Sequence, residues 1–86
     1  MYQSRFTKRF EKQLKKFPVK QQNKILDRIN EILSDPRKAA TKLVSTTPPI
    51  YKLRVGEYRV FFELDDDLKI MQITDTERRT IQSYRN

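Results

Sequence analysis

The chain has 86 residues and a net charge of +8, with 36% hydrophobic and 35% charged residues. At this length folding buries about 60–65% of the surface the unfolded chain exposes, enough for one small core and not for two; residues 1–86 are therefore expected to form a single domain. Cysteine and histidine are both absent, which excludes disulfides, zinc sites of the Cys/His type, a Ser-His-Asp triad, a Cys nucleophile and a His general base.

No apolar run approaches the roughly 18 residues of a membrane span. The opening MYQSRFTKRFEKQLKKF has no apolar segment of the secretory-signal kind, so a cytoplasmic protein without membrane contact is expected. The charge is uneven. Residues 1–38 carry 11 Lys/Arg against 4 Asp/Glu, and residues 39–86 carry 8 against 7. A broadly basic N-terminal half favours a nucleic acid or an acidic protein as partner. A merely solvated basic helix surface is the alternative.

In chain order, Tyr2 to Arg5 read as a short edge strand or a fraying end. Phe6, Phe10 and Leu14 recur at i, i+4, i+8 and predict an amphipathic helix over about 4–16, with Ser4 as N-cap. Pro18 interrupts it and opens a second helix. Ile25, Leu26, Ile29, Ile32 and Leu33 form that helix's apolar stripe, which Asp35-Pro36 ends. Residues 36–49 hold three of the four prolines and read as a connection, with Leu43 and Val44 tucked against the core. Then IYKLRV, a turn at Gly56-Glu57, and YRVFFEL predict a β-hairpin. Gly56 at the first central position suits a type II′ turn. Asp65-Asp66-Asp67 make a second turn, and LKIMQIT a third strand ending near Thr74. The fold class is α+β: two N-terminal helices packed on a small antiparallel sheet, in the order β-α-α-β-β-β, with a short C-terminal tail.

A two-residue turn at Gly56-Glu57 pairs Val55 with Tyr58, Arg54 with Arg59, Leu53 with Val60 and Lys52 with Phe61. Strand alternation then puts Tyr51, Leu53, Val55, Tyr58, Val60 and Phe62 on one face, against the helices. Lys52, Arg54 and Arg59 share the other. An even-length second turn adds Met71 and Ile73 to the apolar face and leaves Thr74 beside Arg59. Two arginines facing each other across strands cost stability, so the cluster reads as a patch for a phosphodiester. A plain solvated sheet face is the competing reading. The tail from Asp75 would bring Arg78 or Arg79 over the patch, and Tyr84 could stack on a base.

The segment Tyr51-Lys52-Leu53-Arg54-Val55-Gly56-Glu57-Tyr58-Arg59-Val60-Phe61-Phe62 resembles the hairpin motif Y-[KR]-[LI]-[RK]-x-G-x-Y-R-[VL]-[IF]-[YF] of the RelE/ParE toxin superfamily. The opening Phe6-Thr7-Lys8, the helix pair, Asp35-Pro36, the Leu43 region and the tail from Glu77 to Tyr84 extend the resemblance over nearly the whole chain. It implies a small α+β toxin of a type II toxin–antitoxin module. In the RelE branch it implies a ribosome-dependent endoribonuclease that cleaves mRNA in the ribosomal A site, without metal or small-molecule cofactor.

Carried over position by position, Lys52 and Arg54 match the two basic residues of the first hairpin strand. Arg59 matches the arginine after the hairpin tyrosine. Arg78 matches the tail arginine and Tyr84 the final tyrosine. The RelE type often has lysine where Arg54 stands. Arginine does not give up its proton, which leaves Lys52 as the candidate base. Arg54 and Arg59 would hold the phosphate, Arg78 would face the leaving group, Tyr84 would orient the substrate, and Arg79 would add an RNA contact. The implied partners are a cognate protein antitoxin, the ribosome and mRNA. Two alternatives stay open: a ParE-like toxin acting on DNA gyrase, and an inactive RNA-binding homologue.

Overall fold

The structure, a computed structural model, describes residues 1–43 and 47–79. Along the chain run β1 (Gln3–Phe6), α1 (Lys8–Leu14), α2 (Val19–Glu31), α3 (Pro36–Ala39), β2 (Thr41–Lys42), β3 (Ile50–Val55), β4 (Tyr58–Asp65) and β5 (Ile70–Arg78). The strands form one sheet in the order β1-β5-β4-β3-β2. Neighbours are antiparallel except β1, which lies parallel to β5. This is the expected α+β class, with helices packed on a mostly antiparallel sheet.

The first helix begins later than its apolar spacing predicts. Gln3–Phe6 are spent on β1, so Ser4 is a strand residue and not a cap. Thr7 takes the cap instead: its Oγ1 accepts from the Phe10 N–H at 3.1 Å. The same residue ends the strand pairing, donating its N–H to the Ile73 carbonyl at 3.1 Å and its hydroxyl to the Thr74 carbonyl at 2.9 Å. Thr7 therefore switches the chain from strand to helix against one stretch of β5. Phe6, the first residue of the predicted stripe, stays 41% exposed and stacks on Phe10 at 5.3 Å between ring centroids.

α2 follows its stripe only to Glu31, short of the expected stop at Asp35-Pro36, so Ile32 is its C-cap and Leu33 lies in the turn beyond. Ile25, Ile29 and Ile32 are buried, and Leu26 and Leu33 pack at the margin of the core. The connection after it holds two short elements that the prolines had hidden, α3 with Pro36 in its first turn and β2 on the edge of the sheet. Leu43 is half-buried, and Val44 lies outside the described residues.

The core joins Phe10, Leu14, Ile25, Ile29 and Ile32 to the helix-facing side of the sheet. Tyr51, Leu53, Val55, Tyr58, Val60, Phe62, Met71 and Ile73 are all buried there, as strand alternation requires.

A polar clamp closes one end of the domain. Arg37 of α3 donates Nη1 and Nη2 to the two carboxylate oxygens of Asp66 at 3.0 and 2.8 Å. Its Nε donates to the Tyr51 hydroxyl at 3.1 Å. The Tyr2 hydroxyl donates to Asp66 as well, tying the N-terminus to the β4–β5 turn. The Arg37 guanidinium first, and then the Tyr2 hydroxyl, hold the Asp66 carboxyl at about 2, below its ordinary 3.8. A carboxyl whose folded-state pKa is depressed adds stability above its unfolded value, and loses it as pH falls through the folded one. The melting temperature of wild type is therefore expected to exceed that of Asp66→Asn above about pH 4, the gap closing as pH falls toward 2. A gap constant from pH 6 to 2 in thermal melts would show that Asp66 ionisation does not stabilise the fold.

Candidate nucleic-acid interface

The hairpin has the predicted register. Arg54 faces Arg59, Leu53 faces Val60, and Lys52 faces Phe61. Gly56 takes φ +59°, and Lys69 is the only non-glycine residue with positive φ among the described residues. Positive φ at the first central position alone is the type II′ pattern, whose twist suits a two-residue hairpin.

Lys52, Arg54 and Arg59 accordingly share the sheet face turned away from the buried core. Neither Lys52 nor Arg54 is in an ion pair among the described residues. Arg59 is. Its Nε lies 3.4 Å from Glu77 Oε1 on the neighbouring strand, and is buried without the geometry of a hydrogen bond. Glu77 thus sits across from Arg59 on the side away from Arg54, and offsets part of the repulsion between the two arginines.

Glu77 is there because β5 does not end at Thr74. The strand runs on to Arg78 through a β-bulge, at which the pairing moves from Phe62↔Ile73 to Phe61↔Asp75. Thr74 is the inserted residue, so it does not stand beside Arg59. Polarity explains the irregularity. Without a bulge, Asp75 and Glu77 would follow Met71 and Ile73 onto the apolar face, where an ionised carboxylate is costly. The extra residue re-aims both acids to the solvent side, a usual consequence of a bulge. Thr76 takes the inner position at 2% exposure. Its hydroxyl donates to the Arg59 carbonyl at 2.9 Å, and its N–H to Gln13 Oε1 at 2.8 Å. Gln13 of α1 thereby ties the basic helix to the bulged strand.

The bulge also changes the place of the tail arginine. Arg78 faces Tyr58, a core residue, so it leaves the sheet on the side opposite Lys52, Arg54 and Arg59. Its Nη2 pairs with Glu57 Oε2 at 3.2 Å. Of the two tail arginines expected over the patch, Arg78 or Arg79, Arg78 is turned to the other side in this arrangement. The Arg79 N–H continues the ladder, donating to the Glu57 carbonyl at 2.6 Å, and alternation hands the patch side to Arg79. Tyr84 lies outside the described residues.

Beside the patch, between α1 and the sheet, runs a groove of about 370 Å³. Arg9 of α1 reaches over it, its Nε 2.9 Å from Asp75 Oδ1. Phe61 and Gln13 line it too. Arg9, Gln13 and Asp75 escape a reading of the hairpin alone. The signal for them was the pair Asp75 and Glu77, two acids that unbroken alternation would bury. Among the described residues no group of three or more acidic side chains is arranged to hold a metal ion.

The family model described as the ParE toxin of type II toxin–antitoxin system, parDE, matches residues 4–81. The chain belongs to this toxin family. A search of curated proteins found no match. Among solved structures, the chain is similar to the RelBE2 toxin–antitoxin complex of Mycobacterium tuberculosis, with 22% identity and a TM-score of 0.83 over 91% of this chain and 98% of that one. It is also similar to the archaeal RelE–RelB complex of Pyrococcus horikoshii, at 24% identity and a TM-score of 0.77 over 93% and 97%. The isolated RelE toxin of E. coli gives 22% and 0.79 over 93% and 86%. At these identities the likeness is one of fold. The RelE/ParE resemblance drawn from the hairpin thus holds over nearly the whole chain, and the protein is a type II toxin of that family.

Proposed function

We propose that this RelE/ParE toxin is an mRNA interferase, a metal-independent endoribonuclease that cleaves mRNA on the ribosome and so inhibits translation in the cytoplasm. The observation that supports it is the convergence of Lys52, Arg54 and Arg59 on one open sheet face, two of them without an acidic partner among the described residues. In the reaction, the 2′-hydroxyl gives its proton to Lys52 and its oxygen attacks the adjacent phosphorus. Arg54 and Arg59 bind the non-bridging oxygens, where charge builds up in the transition state. The P–O5′ bond breaks and the leaving oxygen takes a proton, giving a 2′,3′-cyclic phosphate and a 5′-hydroxyl. Arg79 is the tail arginine on the patch side. Arg78 would have to leave Glu57 to reach the leaving group. An arginine is a weak acid for that step, which suits an enzyme that relies on the ribosome to position its substrate.

The partner that would hold the toxin inactive is a cognate antitoxin. Two of the similar structures are toxin–antitoxin complexes, and a surface of +8 suits an acidic wrapping segment.

A second reading, a toxin acting on DNA gyrase, is favoured by the ParE family model and by the engagement of Arg59 and Arg78 with carboxylates. One pair of assays separates the two. Purified toxin is added to programmed ribosomes with product ends mapped, and to gyrase with supercoiling followed. The expected result is ribosome-dependent cuts ending in cyclic phosphate and no effect on gyrase. Inhibited gyrase with intact mRNA would replace the first reading by the second.

A further inference from the structure

We propose that Phe61 is the floor of a nucleobase-binding subsite, in the groove between α1 and the sheet; the inference rests on the RNA-cleaving reading and extends it to substrate recognition.

Every other described aromatic ring has a ring or cation partner. Phe6 stacks on Phe10, Phe17 on Tyr58 and Tyr51 on Phe62, while Lys69 lies over Tyr2. Among the described residues Phe61 has neither, and it is not part of the core cluster or of the residues packed against it. Alternation puts it on the solvent face, directly opposite Lys52 on one side and Asp75 on the other. A half-buried ring that has no ring or cation partner among the described residues, with only Leu43 and Ile50 as apolar neighbours in its groove, gains little for the fold. A ring beside cations is the pairing that single-stranded nucleic acid requires, because every base has a face to stack and every nucleotide a phosphate. Arg59 lies two residues from Phe61 on the same strand and face, about 7 Å along it. A phosphate held by Arg59 and Arg54 therefore leaves its neighbouring base within reach of the Phe61 ring.

The groove around Phe61 favours a base over an acidic peptide. Asp75 and Glu77 stand at its wall. Their carboxylates would repel acidic side chains, whereas the amino groups of a base can donate to them. Arg9, paired with Asp75 at 2.9 Å, brings a second hydrogen-bonding group to the same edge. The stack is tolerant of base identity and the polar wall prefers a base that presents an amino group.

The test uses the intact toxin on programmed ribosomes whose A-site codon carries 2-aminopurine at one of its three positions, with 2′-deoxyriboses there to prevent cleavage. Stacking on the ring quenches the fluorophore. Wild type and Phe61→Tyr are expected to quench at one position. Phe61→Leu, which stays apolar and loses the ring, is expected to lose that quench and to bind about 5- to 150-fold more weakly. The same three proteins are run on all-ribose mRNA. Quench without cleavage in wild type would keep the subsite and overturn the cleavage reading. Cleavage equal in wild type and Phe61→Leu, with no quench at any position, would overturn the subsite and keep the cleavage reading. Loss of antitoxin binding in Phe61→Leu with quench and cleavage unchanged would assign the ring to the protein partner and overturn the subsite.

Discussion

Arg59→Ala is expected to slow mRNA cleavage by about 10²–10³-fold, the usual effect of removing one preorganised donor from developing charge. Arg59 is the cation most firmly placed on the patch. Its side chain is 29% exposed with Glu77 Oε1 3.4 Å from its Nε, and its main-chain carbonyl accepts from the Thr76 hydroxyl at 2.9 Å. Little of the loss should come from unfolding. The substitution relieves the contact between Arg54 and Arg59, and it frees Glu77, a side chain already 53% exposed. The pair is open to solvent on its Glu77 side, and an ion pair that solvent reaches is worth about 0–1 kcal/mol. Arg59→Lys should recover only part of the rate, because an ammonium cannot offer the planar fork that binds two phosphate oxygens at once. Single-turnover cleavage on ribosomes, with thermal melts of the same proteins, checks both claims. An Arg59→Ala protein that melts normally and cuts within twofold of wild type would remove Arg59 from the reaction.

Phe62→Ala is expected to cost about 3–5 kcal/mol, the range for a buried phenylalanine truncated to alanine. Phe62 is fully buried and stacked on Tyr51 at 5.5 Å between centroids. At about 0.05–0.15 kcal/mol per residue the whole domain holds only about 4–13 kcal/mol. The melting temperature should therefore drop by at least about 12 °C. The neighbouring Phe61→Leu should melt within a few degrees of wild type, since that ring is outside the core. The pair separates the two faces of β4 by stability alone. Equal losses at both positions in denaturant titrations would mean that Phe61 is a core residue, and would remove the basis for a base-stacking role.

The two phenylalanines also show how far sequence reasoning reaches. The alternation of IYKLRV and YRVFFEL, with the single glycine between them, was enough to place Phe62 inside and Phe61 outside. It was enough to bring Lys52, Arg54 and Arg59 together as well. These are local consequences of a two-residue turn and of period-two side chains. The helical stripe of Ile25, Ile29 and Ile32 was legible for the same reason. The first helix was misread because Phe6, Phe10 and Leu14 satisfy helical spacing whether or not Phe6 is helical. Only the docking of Gln3–Phe6 beside β5 turns that stretch into a strand and passes the cap from Ser4 to Thr7.

By itself, then, the sequence determined the α+β class, the hairpin register and the identity of the cations on the open face, because each depends on residues a few positions apart. Tertiary structure alone decided the rest. The bulge at Phe61/Phe62 follows from where the apolar face of β5 must stop, and it carries Glu77 to Arg59 while sending Arg78 to the opposite side. Arg9 and Gln13 reach the groove only because α1 packs along β5, more than sixty residues away in sequence. Long-range pairing sets such placements through the cost of burying a charge or leaving a backbone N–H without an acceptor, and neither cost can be assigned until the partner strand is known.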